Sequence, residues 1–162
     1  MINEIDRQIL KILQENARTP NAEIARQVGM APSAILERIR KLEERGVIQG
    51  YGVRLNGRAM GLGLLAFVLV RTDELSVEDE AAQHLAKMPE VLEVHHIAGE
   101  DCFLVKVRAA DTEALGRLLR EQIGGIESVR STRTTIVLHT AKETEAIPIQ
   151  EVSQEGEADQ DG

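Results

Sequence analysis

Apolar residues recur at helical spacing in three short segments of the first third of the chain. Each segment has an apolar stripe on one side and charged residues on the other, as in helices that share a core. Pro20 and Pro32 open the second and third helices, and Gly29 and Gly46 end them. The stripes are Ile5, Ile9, Ile12 and Leu13, then Ile24, Ala25 and Val28, and finally Ile35, Ile39 and Leu42.

The next part of the chain alternates between strand-like and helix-like patterns. "GVIQGYGVRL", residues 46–55, predicts a short wing strand, and the three glycines of "NGRAMGLG", residues 56–63, mark a domain boundary. The order that follows, βαββαβ, is that of a ferredoxin-like domain with both helices on one face of an antiparallel sheet. The predicted elements are strand Leu64–Arg71, helix Val77–Met88, strands Val91–Ala98 and Cys102–Ala109, helix Thr112–Gln122 and strand Val129–Thr140.

These patterns predict an α+β protein with four segments. Residues 1–54 form a winged helix-turn-helix domain, 55–62 a linker, 63–142 the βαββαβ domain and 143–162 an acidic, disordered tail. We interpret the tail as solubilising; the alternative is that it limits nonspecific DNA binding by self-competition. The strand in "LGLLAFVLV", residues 62–70, is apolar on both faces. Because the helices of a two-layer fold cover only one face of the sheet, the other face predicts a homo-oligomer joined sheet to sheet.

Charge is distributed unevenly along the chain. The formal net charge is -8, but residues 143–162 hold seven acidic residues and no basic one, whereas residues 1–54 carry nine Lys and Arg against seven Asp and Glu. The helical part therefore carries a modest basic bias suited to phosphates. Two Phe and one Tyr are too few for base stacking as a binding mode. The longest apolar run is too short to span a membrane, and one cysteine without a leader favours the cytoplasm.

The third helix has the features of a DNA-reading helix. With its stripe buried, its outward face carries polar groups able to bond bases or phosphates. The alternative is an ordinary solvated helix, in which Arg40 and Glu44 form an i,i+4 ion pair. The candidate DNA-binding residues are Ser33, Glu37, Arg38, Arg40 and Lys41, with Arg54 a further candidate for the DNA backbone.

The stretch "HHIAGEDCFLVKV", residues 95–107, suggests a metal or catalytic site by composition. Adjacent strand residues point to opposite faces, however, so His95 and His96 are not expected to share an ion, and Cys102 is expected to pack. No metal and no cofactor are predicted. The turn Gly99-Glu100-Asp101 instead offers backbone amides for a carboxylate and an acid for an ammonium group, which suits an amino acid. The alternative is a hairpin turn without a ligand.

These ordered motifs resemble the Lrp/AsnC family of prokaryotic transcription regulators. The resemblance rests on "SAILERIRKLEERGVIQGYGVRL", then the βαββαβ order with "HHIAGEDCFLVKV" and "STRTTIVL", and covers residues 2 to about 142. It implies a dimer, often assembled into octamers, that binds double-stranded operator DNA, is associated with the nucleoid, and responds to amino acids. It also implies that Gly99, Glu100 and Asp101 line an effector pocket completed by Thr132 and Thr134 of a neighbouring subunit. Ala31 stands where the family usually has Ser before the recognition-helix proline, so the resemblance does not carry over the phosphate contact of that Ser.

Two other functions compete with a regulator. A siroheme decarboxylase-like enzyme resembles these regulators and would use basic and histidine side chains to hold tetrapyrrole carboxylates. An architectural nucleoid protein would bind DNA without an effector. The outward polar face of the third helix favours the regulator, and we predict no enzymatic activity. The residues available to the enzyme are His95, His96, Arg108 and Arg133.

Overall fold

The chain folds into two compact units. A computed structural model describes residues 2–73, 80–99 and 102–150. The first unit combines the chain up to Val53 with the segment that begins at Glu143, and the second unit runs from Arg54 to Lys142.

Three helices build the first unit, as the apolar stripes predict. They are α1 (Glu4–Glu15), α2 (Asn21–Val28) and α3 (Pro32–Glu44). Each helix has at least one residue of its apolar stripe fully buried, so the three helices share one core. That core consists of Ile9, Ile24, Ala25, Ile35 and Ile39.

The ends of these helices follow from local sequence. The Asn3 side chain accepts a hydrogen bond from the Asp6 amide, and the Asp6 side chain accepts one from the Asn3 amide, which together make a capping box for α1. Gly29 ends α2 with a φ of 75°, a left-handed conformation that glycine adopts without strain. The turn between α2 and α3 is therefore set by residue type.

The wing strand predicted for residues 46–55 is wrong. The amides of Val47 and Ile48 bond to the Leu42 carbonyl and close the end of α3, and no strand is found from there to residue 63. The apolar positions of the alternating pattern, Tyr51, Val53 and Leu55, are all exposed and pack against no core. A strand also needs a partner for its backbone groups, and no described strand pairs with this segment.

The second unit has the predicted βαββαβ order. The elements are β1 (Leu64–Thr72), α4 (Glu80–Ala86), β2 (Val91–His96), β3 (Phe103–Ala109), α5 (Thr112–Arg117) and β4 (Val129–Ile136). The sheet is antiparallel with the strand order β2-β3-β1-β4, and α5 continues as a π-helical segment, Leu118–Ile123. Residues 77–79 of the predicted first helix lie outside the described residues, and β4 ends four residues earlier than predicted. Among the described helices none is long and apolar enough to cross a membrane.

The two faces of this sheet differ in what covers them. One face packs against the helices through Val68, Val70, Val105 and Val107, all fully buried. Alternate residues point to the other face, where Phe67, Leu69 and Leu104 remain partly exposed. We call these three residues the open-face cluster. Their apolar surface is what the sequence of β1 predicts.

The segment from Glu143 contacts α1. The Gln14 side chain donates to the Ile147 carbonyl at 3.0 Å and accepts from the Ile147 amide at 2.7 Å, and Arg7 donates to the Gln150 carbonyl at 3.0 Å. The expectation of disorder over residues 143–162 therefore does not hold for 143–150. Composition does not reveal this contact because it depends on backbone groups, which every residue carries. Residues 151–162 lie outside the described part.

Candidate DNA-binding surface and effector site

The outward face of α3 presents most of the predicted DNA-binding residues together. Ser33, Glu37, Arg40 and Lys41 are exposed, while Ile35, Ile39 and Leu42 are buried on the opposite side. Positions three and four residues apart lie on the same face of a helix, so the four polar residues form one surface. We call Ser33, Glu37, Arg40 and Lys41 the recognition face.

Ion pairs along the helix occupy the charged members of the recognition face. Arg40 Nε lies 2.9 Å from Glu44, and Lys41 Nζ lies 3.4 Å from Glu37. This is the geometry of the solvated-helix alternative. Exposed pairs of this kind contribute little to stability, so phosphates can replace the carboxylates at small cost. The pairs are compatible with both interpretations of the helix.

Arg38 differs from the other candidates. Its guanidinium donates to Asp6 at 2.8 Å, and only 29% of the Arg38 side chain and 9% of the Asp6 side chain are exposed. This pair joins the third helix to the first turn of α1. Arg38 therefore lies beside the recognition face, with a bond inside the domain.

Leu36 is a residue of this surface that the sequence reasoning missed. It is 57% exposed and lies three residues after Ser33 and four before Arg40. The helical period alone places it there, but its apolar type removed it from a search for polar contacts. An exposed aliphatic side chain on a major-groove helix can contact the methyl group of thymine.

The beginning of α3 lacks a side-chain cap. Ala31 occupies the N-cap position and makes no side-chain hydrogen bond to the first turn. The exposed start of a 13-residue helix is an anion-binding feature, because amides and the helix dipole point outward there. Ala31 offers no hydroxyl, whereas the backbone amides of the first turn of α3 keep this feature.

Tyr51, the single tyrosine, lies in the segment that follows α3. Its hydroxyl donates to Glu43 at 2.8 Å. Partial burial and the neighbouring Glu43 carboxylate disfavour the phenolate, and together they raise the pKa of Tyr51 to about 12. The bond ties residue 51 to the last turn of α3.

The histidine and cysteine cluster separates as predicted. His95 bonds to Glu93 at 3.2 Å, whereas His96 pairs with Phe103, its ring 5.2 Å from the phenyl ring. Burial raises the pKa of Glu93, but hydrogen bonds from His95 and Lys106 outweigh it and lower that pKa. Among the described residues, no three His, Cys, Asp or Glu side chains approach closely enough to hold a metal.

Cys102 is a packing residue, as predicted. It is buried, and its thiol lies 3.6 Å from the Thr72 carbonyl and 3.5 Å from the Thr72 amide. These contacts join the start of β3 to the end of β1. The thiol is therefore closed off from a substrate.

The structure describes part of the predicted effector site. Gly99 has a φ of 139°, which side-chain-bearing residues rarely adopt, whereas Glu100 and Asp101 lie outside the described residues. Thr132 pairs with Val70, which pairs on its other side with Phe103. Thr132 therefore lies at the end of the sheet where the Gly99 turn begins β3, two strands away, or about 10 Å.

Thr134 shares the face of Thr132. Thr134 pairs with Val68, whose side chain is buried under the helices, and alternation puts Thr132 on that same face. Thr135, the next residue along β4, pairs with Phe67 and points to the opposite face of the sheet. The two predicted threonines are thus together, and Thr135 is excluded from their surface.

Comparison with known proteins identifies both units. Residues 2–49 match the winged helix-turn-helix DNA-binding family, and residues 65–147 match the Lrp/AsnC ligand binding domain. The HTH-type transcriptional regulator FL11 of Pyrococcus horikoshii is 43% identical over 148 residues, which are 91% of this chain and 97% of the relative. The leucine-responsive regulatory protein of Klebsiella pneumoniae is 34% identical over 150 residues, 91% and 92% of the two chains.

Solved structures agree with these relatives. AsnC of E. coli superimposes with a TM-score of 0.85 at 30% identity, over 91% of this chain and 99% of that one. A feast or famine regulatory protein from M. tuberculosis, complexed with L-methionine, has a TM-score of 0.85 at 36% identity, over 93% and 100%. Because the chain matches a winged helix-turn-helix over residues 2–49 and the Lrp/AsnC ligand binding domain over residues 65–147, it belongs to the Lrp/AsnC family of transcription regulators.

Proposed function

We propose that the recognition face of α3 reads double-stranded DNA and that an amino acid bound near Gly99 controls this binding. The observation that carries the first part is the division of α3 into a buried apolar side and an outward side with Ser33, Glu37, Arg40 and Lys41. In helix-turn-helix proteins the second helix of the motif enters the major groove with such a face. Arg38 contributes mainly by holding α3 against α1.

The DNA-binding part is tested by Arg40→Ala together with Lys41→Ala. We expect loss of binding to operator DNA with no change in oligomer size, because both side chains are exposed. Arg117→Ala is a matched control, since Arg117 forms the same kind of exposed i,i+4 pair, with Glu113, in the second unit. Unchanged affinity in the double variant would refute this assignment of the recognition face.

An amino acid is the effector that the second site suits best. The Gly99 turn provides backbone amides for a carboxylate, and Asp101 provides an acceptor for an ammonium group. Two structural neighbours, from M. tuberculosis and from Neisseria meningitidis, are complexes with L-methionine. We place Thr132 and Thr134 of a neighbouring subunit at the same pocket as the turn, together with Glu100.

A thermal-shift screen with the twenty amino acids tests the effector. We expect at least one to raise the melting temperature, and Asp101→Ala to abolish that shift while the apo protein stays folded. Thr132→Val with Thr134→Val should weaken the shift, whereas Thr135→Val, on the other face of β4, should preserve it. A full set of amino acids without any shift would support an architectural protein instead.

The open-face cluster supports a homodimer joined sheet to sheet, and larger assemblies such as octamers built from it. Phe67, Leu69 and Leu104 lie on adjacent strands and are not covered by the helices. Covering such a patch with a second copy removes it from water. Leu69→Asp should reduce the oligomer size in light scattering, whereas Leu138→Asp, a 94% exposed leucine after β4, should not.

We infer that the protein is cytoplasmic, is associated with the nucleoid when it binds DNA, and carries out no chemical reaction. The siroheme alternative would draw on His95 and His96, but His95 bonds to Glu93 and His96 packs on Phe103 on the opposite face, so the two rings do not converge on one macrocycle. The relatives are named as regulators. A visible spectrum recorded with added siroheme should remain unchanged, and conversion of the macrocycle would overturn this inference.

A further inference from the structure

We propose that the acidic residues 151–162 bind a groove on the helix-turn-helix unit and compete there with DNA. The groove, of about 330 Å³, lies between the first turn of α1, the turn before α3 and the side of α3 next to the recognition face. We call it the α1–α3 groove. Its lining consists of Asp6, Met30, Ala34, Glu37, Arg38, Lys41, Leu42 and Arg45.

The groove is lined by three basic, two acidic and three apolar side chains, so its charged groups sum to +1. Arg38 is neutralised by Asp6 at 2.8 Å, and Lys41 reaches Glu37 only at 3.4 Å across an exposed surface. Arg45, exposed at the end of α3, adds a further positive charge. An acidic segment with an occasional aliphatic side chain therefore complements the α1–α3 groove.

Residues 151–162 have this composition. They contain Glu151, Glu155, Glu157, Asp159 and Asp161 and no Lys or Arg. Val152 supplies one aliphatic side chain for the floor. The segment thus carries five carboxylates toward a surface that is proposed to hold phosphates.

The described residues show where this segment starts. Gln14 holds the backbone of Ile147 through two hydrogen bonds, and Arg7 holds the carbonyl of Gln150 at 3.0 Å. Arg7 adjoins Asp6, which lines the groove. Gln150, the last described residue, therefore lies next to the first turn of α1, whose Asp6 lines the groove.

Chain length allows the segment to reach every part of the groove. Twelve extended residues span at most about 40 Å, and a flexible chain of that length has a root-mean-square span of about 20 Å. The 13 residues of α3 extend over about 20 Å. A tether this short corresponds to an effective concentration near the millimolar range, so weak ion pairs suffice for occupancy.

The consequence is a built-in competitor of DNA. Lys41 belongs to both the α1–α3 groove and the recognition face, so carboxylates bound to it exclude phosphates. Binding to nonspecific DNA, which depends on phosphate contacts alone, is reduced most, and specific binding is reduced less. The segment raises selectivity for operator DNA by this difference. This inference rests on the proposed DNA-binding function.

Occupancy of the groove is tested without DNA by zero-length carbodiimide cross-linking of the full chain. The reagent joins a carboxylate to a lysine amine only at ion-pair distance. We expect a peptide from residues 151–162 joined to Lys41, lost at high salt and lost when the five acids are changed to Gln or Asn. Absence of that product, or cross-links confined to Lys11, would overturn the proposal.

Competition is tested by the affinity for a nonspecific duplex at low salt. A chain that stops after Gln150 and the chain with the neutralised tail should both bind about 2- to 10-fold more tightly, an advantage that high salt removes. Gln14→Ala keeps every charge but releases Ile147, and should give part of the same gain, whereas Gln8→Ala on the exposed side of α1 should give none.

The two hypotheses fail in different ways. If truncation leaves the affinity unchanged while DNA is bound, competition is refuted and the DNA-binding function stands. If no variant binds any duplex, the DNA-binding function fails, and cross-linking to Lys41 still decides whether the segment occupies the groove.

Discussion

The Arg38–Asp6 pair provides the sharpest test of how α3 is held. The structure predicts that Arg38→Gln acts mainly on stability, whereas Lys41→Gln acts on DNA affinity. Arg38 donates to Asp6 at 2.8 Å and both side chains are largely buried, but Lys41 lies 3.4 Å from Glu37 with both side chains mostly exposed.

The magnitude follows from burial. A charge-assisted hydrogen bond contributes about 1.5–3 kcal/mol, and exposed pairs contribute about 0.2–1 kcal/mol. Because Arg38 keeps partial access to water, we expect a coupling of about 1–2 kcal/mol between Arg38→Gln and Asp6→Asn. Asn at residue 6 retains an oxygen for the Asn3 amide, so the capping box is largely preserved. Lys41→Gln should change stability by less than about 0.5 kcal/mol.

Urea denaturation of the full chain, followed by circular dichroism at a helix band, measures these free energies of unfolding. The salt dependence of DNA binding completes the comparison, because a lost phosphate contact lowers the slope by about one. We expect this for Lys41→Gln and not for Arg38→Gln. A changed slope with an unchanged denaturation midpoint in Arg38→Gln would show that Arg38 binds phosphate and does not hold the helix.

Three further changes test separate features. Absorbance titration of Tyr51 should show a midpoint near pH 12 instead of 10.0, and Glu43→Gln should lower that midpoint. Because the pKa of Tyr51 is raised in the folded state, the stability that this group contributes is present below pH 10.0 and is lost as the pH rises through 12. A midpoint at 10.0 would contradict the hydrogen bond to Glu43. Gly99→Ala should lower the free energy of unfolding by about 1–3 kcal/mol, measured in thermal or urea unfolding, because a φ of 139° strains any residue with a side chain even though no atom blocks the added carbon. Gly50→Ala is the control, since residue 50 is equally open and has no positive φ, and it should not have this effect. Equal losses in the two variants would show that the φ of Gly99 is not the cause. Replacing thymine with uracil in operator DNA should weaken binding by the wild-type protein about fourfold per contacted methyl group, because burying one methyl-sized group contributes ~0.8 kcal/mol. The Leu36→Ala variant should show no such loss. The same loss in both proteins would show that Leu36 does not contact the thymine methyl group.

Local patterns predicted the order of helices and strands outside residues 46–55, and the ordered motifs predicted the family. The spacing of Ile35, Ile39 and Leu42 decided which side of α3 is buried, because the helical period is the same in every helix. Gly29 ends α2 because glycine adopts the left-handed conformation without strain, which is a property of that residue alone. Strand alternation likewise separated His95 from His96. Each of these depends on neighbours within a few positions.

Contacts between distant residues required the tertiary structure. Gln14 and Ile147 are 133 positions apart, and Arg38 and Asp6 are 32 apart, so no local pattern links them. Residues 46–55 alternate as a strand does but find no partner, because pairing depends on what lies alongside. Sequence periodicity thus determined the elements and the faces they bury, whereas packing decided which charged groups remain available and where the acidic tail begins.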